Sequence, residues 1–261
     1  MQIEGLEKLF PPVLSGWKAY VHAFSPLSVP ALRNISFSIA PGEIVAIVGA
    51  NGAGKSTLLR ILTTLLLPTS GGAWVGGADV LREPARVRQQ LGFHGGSDAS
   101  FYARLSALEN LQFFAALNNV SRSDAAARIG ELAELLHLGA FLDQQVRALS
   151  TGTVNRLGLA RAMLHRPSVL LLDEPTRSLD PFAAAELRRF LREKVVRQRG
   201  ATLVFASHTL SEVAQLADRV ALLDAGRLLA IEAPPGLLQS TGAQTLDEAL
   251  DTLVRRAGAR Q

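Results

Sequence analysis

The 261-residue chain contains no cysteine. That removes a disulfide framework and any cysteine-ligated zinc site, and it is compatible with a reducing cytosol. Long apolar runs are also missing. The longest stretch, Ile61 to Leu67, is interrupted by two threonines and falls far short of the ~20 residues that cross a bilayer. If the protein works at a membrane, it is expected to work beside it. Residues 1–10, MQIEGLEKLF, carry acids and no apolar core, unlike a secretory leader. No block of like charges occurs, which argues against a nucleic-acid-binding tail. Lys and Arg total 27 against 23 acids, a net charge of +4, which permits attraction to anionic lipid or nucleic acid and requires neither. Internal repeats and low-complexity segments are lacking. What is present is 48% hydrophobic residues, enough for a sizeable core in one large α/β domain with an inserted subdomain.

Residues 1–10 read as a short strand, broken by Pro11 and Pro12. Residues 11–30, with Trp17, Tyr20, Phe24, Pro26 and Pro30, read as an irregular insertion. Residues 31–40 alternate apolar and polar like a half-buried strand, and Pro41-Gly42 is a turn signal. Glu43 to Val48 is an apolar, β-branched run suited to a buried central strand, followed by a glycine-rich loop and a helix from Lys55 to about Leu66. From about Ser97 to Arg156 the pattern is helical. Ser121 with Asp124 resembles a capping box, and Ile129, Leu132 and Leu136 recur at helix spacing. Strand patterns return at Val169–Leu172 and Thr202–Ala206, separated by a helix at about Pro181–Gln198. Strand, helix, strand order with apolar strands predicts a parallel sheet covered by helices. Residues 233–261 begin at Pro234-Pro235 and read as a weakly helical tail.

Gly49-Ala50-Asn51-Gly52-Ala53-Gly54-Lys55-Ser56 fits G-x-x-x-x-G-K-[ST] in full, directly after the apolar strand and opening a helix. Glycines let successive backbone N–H groups turn inward around phosphate oxygens, and the helix N-terminus adds partial positive charge. Lys55 is expected to reach the β- and γ-phosphates and the Ser56 hydroxyl to bind Mg²⁺, with Thr57 next to it in the phosphate-binding set. A second constellation ends the strand Val169–Leu172. Asp173 and Glu174 stand at its carboxyl end, the edge of a parallel sheet where ligands collect. Asp173 suits the second sphere of Mg²⁺, through water. Glu174 suits a general base for the water that attacks the γ-phosphate.

Between these constellations lies Leu149-Ser150-Thr151-Gly152-Thr153, which resembles the LSGGQ signature of ABC ATPases, with Ser150 standing 23 residues before Asp173. Pro175-Thr176-Arg177-Ser178-Leu179-Asp180 is similar to that family's D-loop, and Phe205-Ala206-Ser207-His208 to the strand that ends in its switch histidine. The match covers roughly residues 3–232, and four motifs in order make it specific. Residues 156–181 and 100–117 are similar to the ATPase subunits of ABC-2-type exporters. The resemblance implies the ABC nucleotide-binding fold of P-loop NTPases: a mostly parallel sheet, an antiparallel β subdomain and a helical subdomain inserted at about 97–156. The ATPase domain would span 1–232 and a C-terminal tail 233–261.

The same resemblance implies a function. Two cassettes would dimerise head to tail around two ATP molecules, each touching one chain's phosphate loop and the other chain's Ser150, Thr151 and Gly152. Asp180 would sit across the dimer interface, while also suiting a helix cap before Pro181. His208 would hold the attacking water at the γ-phosphate. Phe10 is the candidate for stacking on adenine, with Tyr20 and Phe24 as competitors. The expected partners are an ABC-2-type transmembrane permease, through which alone the membrane is contacted, and a second ATP-binding subunit, with no nucleic acid. The expected site of action is the cytoplasmic face of the membrane, as a peripheral subunit. The coupling surface would lie around 97–120. The family's Q-loop glutamine is missing: Gly96 occupies its place in Gly92-Phe93-His94-Gly95-Gly96-Ser97-Asp98, with Ser97 or Asp98 as conceivable substitutes through water and His94 expected to end a strand. Two alternatives stand beside the exporter motor: a soluble, non-transport ABC ATPase acting on ribosomes or DNA, and a nucleotide-dependent regulator that hydrolyses poorly.

Overall fold

The computed structural model describes residues 1–11, 28–96, 101–177 and 179–259. Two sheets organise it. A six-stranded sheet runs in the order β10-β9-β3-β8-β7-β6, with β3 at Ile44–Val48, β6 at Leu91–His94, β7 at Val169–Asp173, β8 at Thr202–Ala206, β9 at Arg219–Asp224 and β10 at Arg227–Glu232. All its pairings are parallel except that of β10 with β9. The second sheet is antiparallel, in the order β2-β1-β4-β5, with β1 at Gln2–Phe10, β2 at Val29–Ser38, β4 at Ser70–Val75 and β5 at Ala78–Asp79.

The central strands explain the two cores. Every residue of β3 is buried, and side chains alternate across a strand. Ile44, Ala46 and Val48 therefore enter one apolar cluster while Val45 and Ile47 enter the other. β7 and β8 divide in the same way: Leu170, Leu172, Leu203 and Phe205 face the first cluster; Val169, Leu171, Val204 and Ala206 face the second. A strand buried on both faces reads as an unbroken apolar run, which is why these three were legible.

Helix α1, Lys55–Leu62, is shorter than its apolar pattern suggests. The Thr63 hydroxyl turns back to the Arg60 carbonyl at 2.9 Å, and Thr64 takes a left-handed φ of 62°. Leu65 and Leu67 are then left 66% and 62% exposed. Helix α2, Pro84–Gln90, leads into β6. The expected helical region holds α3, Ala107–Leu117, α4, Arg122–Leu135, and α5, Thr151–Met163; residues 97–100 lie outside the described residues. Ile129, Leu132 and Leu136 are all buried. Ser121 caps α4 by accepting the Asp124 N–H at 3.1 Å, but the Asp124 carboxylate takes the Ser121 hydroxyl proton rather than completing the box. The full capping box is at Ser106 and Glu109, at the start of α3. Arg128, 2% exposed, donates to the Met163 carbonyl at 3.1 and 3.0 Å and so ties α4 to the end of α5.

Helix α6, Pro181–Phe190, runs into a π-helical segment, Leu191–Arg197. Helix α7 covers Leu210–Leu216. Beyond β10 the expected weakly helical tail forms two helices, α8 at Pro234–Thr241 and α9 at Leu246–Gly258. Leu237, Leu246, Ala249 and Leu250 join the first core cluster. In the segment read as an insertion, residues 12–27, with Trp17, Tyr20, Phe24 and Pro26, lie outside the described residues, and Val29 and Pro30 belong to β2. Among the described residues no helix is long and apolar enough to cross a membrane.

Candidate functional site

The chain leaves β3 at Val48 and makes one tight loop before α1. Gly49, at φ +151°, passes under the end of β9, where a Cβ would stand 2.1 Å from the Leu223 carbonyl oxygen. Gly54, at φ +106°, packs against β2, where a Cβ would meet the Ala31 oxygen at 2.7 Å. The loop is pinned by the Ala53 N–H to the Ala50 carbonyl at 3.1 Å and by the Gly226 N–H to the Ala53 carbonyl at 3.1 Å. Lys55 folds its ammonium back over the loop, donating to the carbonyls of Gly49 at 2.6 Å and Ala50 at 3.1 Å.

The parallel register brings the acids alongside. β7 pairs with β8, Asp173 opposite Ala206, so β7 ends level with β3's neighbour. The Ser56 hydroxyl donates to the Asp173 carboxylate at 3.0 Å. Glu174 sits at a left-handed φ of 55°, a conformation that costs a β-carbon-bearing residue about 1 kcal/mol or more. Its N–H is tied to the Ala206 carbonyl at 2.9 Å, and its carboxylate bonds to His208 Nδ1. The sharp turn thus aims Glu174 out of the sheet edge.

These residues line one cleft of about 350 Å³: Asn51, Gly52, Gly54, Lys55, Ser56 and Thr57 from the loop and α1, Asp173 and Glu174 from β7, with Ala31, Gly95, Gly96 and Arg177 completing it. His208 lines a neighbouring cleft, and Glu174 borders both. Gly96 takes φ +71° beside the Asp173 carbonyl and presents no side chain. His94 ends β6, 1% exposed, while Ser97 and Asp98 lie outside the described residues. Sequence reasoning did not single out Ala31, Gly95 or Arg177 as wall residues. Gly95 and Arg177 lay inside quoted motifs; nothing in the sequence marks Ala31.

Besides His208, three expected site groups stand outside that cleft. Ser150 caps α5, accepting the Thr153 N–H at 3.2 Å, so the helix starts at Thr151. Ser150, Thr151 and Gly152 do not line the cleft of their own chain. Asp180 caps α6 through the N–H groups of Phe182 at 2.9 Å and Ala183 at 3.0 Å, and the Ala183 bond foremost draws its carboxyl below the usual value. Phe10 ends β1 opposite Val29, 37% exposed, with the Lys8 ammonium 5.1 Å from its ring centre.

A glycine loop between a buried parallel strand and a helix, with a lysine, a hydroxyl and a carboxylate pair at one sheet edge, defines the P-loop class of nucleotide-binding proteins. The model of the ABC transporter family matches residues 32–177. The chain is 35% identical over 219 residues to the ABC transporter ATP-binding protein NatA of Bacillus subtilis, covering 84% of this chain and 88% of that one. It is 38% identical over 228 residues to the daunorubicin resistance ATP-binding protein DrrA3 of Streptomyces coeruleorubidus, covering 87% and 70%. Among solved structures, a dimeric bacterial ABC transporter cassette superposes with a TM-score of 0.76 at 25% identity, covering 89% of this chain and 97% of that one. The chain belongs to the ABC transporter family, as one of its ATP-binding proteins.

Proposed function

We propose that this chain is the ATP-hydrolysing subunit of an exporter, driving transport through a separate membrane-spanning partner. The observation that carries the reading is the convergence of Lys55, Ser56, Asp173 and Glu174 on one cleft at the carboxyl edge of a parallel sheet. The backbone N–H groups of Gly49–Gly54 and the N-terminus of α1 offer positive potential to a triphosphate, and Lys55 exchanges its two carbonyl partners for phosphate oxygens. Thr57 follows in the same turn. Glu174 takes the proton of a water that attacks the γ-phosphorus, the bond to the β–γ bridging oxygen breaks, and ADP and phosphate result. His208, now bonded to Glu174, orients that water. The Ser56 hydroxyl and the Asp173 carboxylate, 3.0 Å apart, would hold Mg²⁺, Ser56 directly and Asp173 through water; the ion would supply positive charge to offset that of the phosphate oxygens.

Ser150, Thr151 and Gly152 serve a second copy in a head-to-tail dimer, each offering an α5 N-terminus to the partner's γ-phosphate. Their position outside their own cleft supports this, as does the dimeric cassette of similar fold. Asp180 then reaches the interface while capping α6. Phe10 is the adenine-stacking aromatic among the described residues. The ATPase domain spans 1–232, with the helical subdomain about 97–156 inserted, and 233–261 forms the tail. The similarity to a drug-resistance ATP-binding protein supports an ABC-2-type permease as partner, and with it a peripheral position on the cytoplasmic face of the membrane, contacted through the permease around residues 97–120.

The decisive experiment is Mg²⁺-dependent ATP binding and turnover by the purified chain and its Lys55→Ala variant. Binding and turnover by the wild type, with affinity reduced at least tenfold in the variant, are expected; about 1.4 kcal/mol of phosphate contact suffices for that factor. No affinity for adenine nucleotides in either protein would refute the reading. Recovery from membranes together with a multi-span protein separates an exporter motor from a soluble ABC ATPase.

A further inference from the structure

A buried acid beneath His208 has no part in the chemistry above. Glu212, on the first turn of α7, is 3% exposed, and Ser207 is 2% exposed. The Ser207 hydroxyl donates to the Glu212 carboxylate at 2.8 Å and accepts the Thr209 N–H at 3.0 Å. Thr209-Leu210-Ser211-Glu212 has the spacing of a capping box, in which the glutamate would take the N-cap N–H itself. Here a serine hydroxyl is inserted into that bond. The relay straddles His208: the residue before it and the residue after it are held by one hydroxyl, anchored on one buried carboxyl.

The ring of His208 needs such an anchor. It is 64% exposed, its described bond is to Glu174, and it borders a cleft of about 320 Å³ into which it could turn. The Glu212 carboxyl also faces the Thr176 hydroxyl and the Arg188 guanidinium, so the relay is anchored beside the segment that follows Glu174.

Resting on the function proposed above, we infer that Glu212 is a positioning residue for hydrolysis, fixing through Ser207 the direction from which His208 approaches the reacting water. The charged and titratable groups facing it are Glu174 at the end of β7, Arg177 beyond it, Arg188 on α6 and His208 itself. Burial raises the Glu212 pKa. What the Ser207 hydroxyl takes from Glu212 is an acceptor oxygen.

The test compares steady-state ATP turnover and nucleotide affinity of the full-length wild type with Glu212→Ala, Ser207→Ala, Glu212→Gln and the Ser207→Ala/Glu212→Ala double variant. Both single alanines are expected to lower kcat, by up to about 10²-fold if His208 shifts by an ångström, with the Kd for Mg-ATP within about twofold of wild type. The double variant should lose no more than either single one, because the pair acts as one unit. Glu212→Gln keeps an acceptor oxygen for Ser207 and should recover most of the turnover. An unchanged kcat in the alanine variants, a loss confined to affinity, losses that multiply, or no recovery in glutamine would each overturn the inference. If Glu212→Ala does not fold, Ser207→Ala against Glu212→Gln carries the same decision. A wild type whose turnover equals that of Glu174→Gln would instead refute the hydrolytic reading beneath it.

Discussion

Glu174 combines a strained backbone with a fixed partner. Its left-handed φ of 55° is held by the Ala206 carbonyl, and its carboxylate faces His208. Replacing it with glutamine preserves size and most hydrogen bonding but removes the proton acceptor. Turnover of Glu174→Gln is expected to fall by about 10²–10⁴-fold, the usual worth of a general base, with Mg-ATP affinity retained; equal rates in a phosphate-release assay would refute the assigned role. Glu212 gives a prediction of the opposite kind, on stability. Burial raises its pKa above the ordinary 4.5, so the folded state holds its proton more tightly than the unfolded chain does. The stability that this supplies is full below pH 4.5 and is lost as pH rises through the folded value. Melting temperatures of wild type and Glu212→Gln should therefore diverge in favour of the variant as pH rises from about 4 to 8. A difference that stays constant with pH would mean that Glu212 titrates normally. Neither the relay nor its burial was legible in the sequence, where Ser207 and Glu212 look like an ordinary loop residue and an ordinary first-turn acid.

The loop between β3 and α1 shows why one glycine is not equivalent to another. A Cβ at Gly49 would stand 2.1 Å from a β9 carbonyl oxygen, whereas Gly52, at φ +82°, has open space around it. Gly49→Ala must displace a central strand as well as bear backbone strain, and is expected to cost on the order of 3 kcal/mol or more. Gly52→Ala bears only the strain, about 1 kcal/mol. Urea unfolding of both variants checks the ranking, and equal losses would mean that the loop gives way before β9 does. The motif spacing identified the loop, but only the crossing of β9 distinguishes its members. The same limit applied to other elements. β3, β7 and β8 were readable because burial on both faces leaves an uninterrupted apolar run. β4 and β5 were not identified, because their short or mixed patterns are set by neighbours distant in sequence; β9 and β10 were missed although residues 220–223 and 228–231 are apolar runs, the first buried on both faces like β3. The capping box of α3 was there to be read in Ser106 and Glu109, and the left-handed Thr64 that ends α1 carries no sequence signal.

For the whole molecule, the proposed site is divided between copies. Lys55, Ser56, Asp173 and Glu174 share a cleft, while Ser150–Gly152 stand elsewhere on the same chain. If those residues complete a partner's site, disturbing them should leave nucleotide binding to the monomer intact and prevent dimer formation. Ser150→Asp is the discriminating change. Aspartate caps a helix about as well as serine, so α5 should keep its first turn, yet the added carboxylate would face the partner's γ-phosphate and repel it. In a Glu174→Gln background, which slows hydrolysis, ATP is expected to produce a dimer by light scattering after size exclusion. Adding Ser150→Asp should abolish that dimer while ATP still binds with about the same affinity. Loss of affinity in the monomer would instead mean that Ser150 serves its own cleft, and persistence of the dimer would mean that the N-terminus of α5 does not meet phosphate. The family resemblance implied a composite site; the separation of the two halves on one chain turns that implication into a measurable difference between binding and assembly.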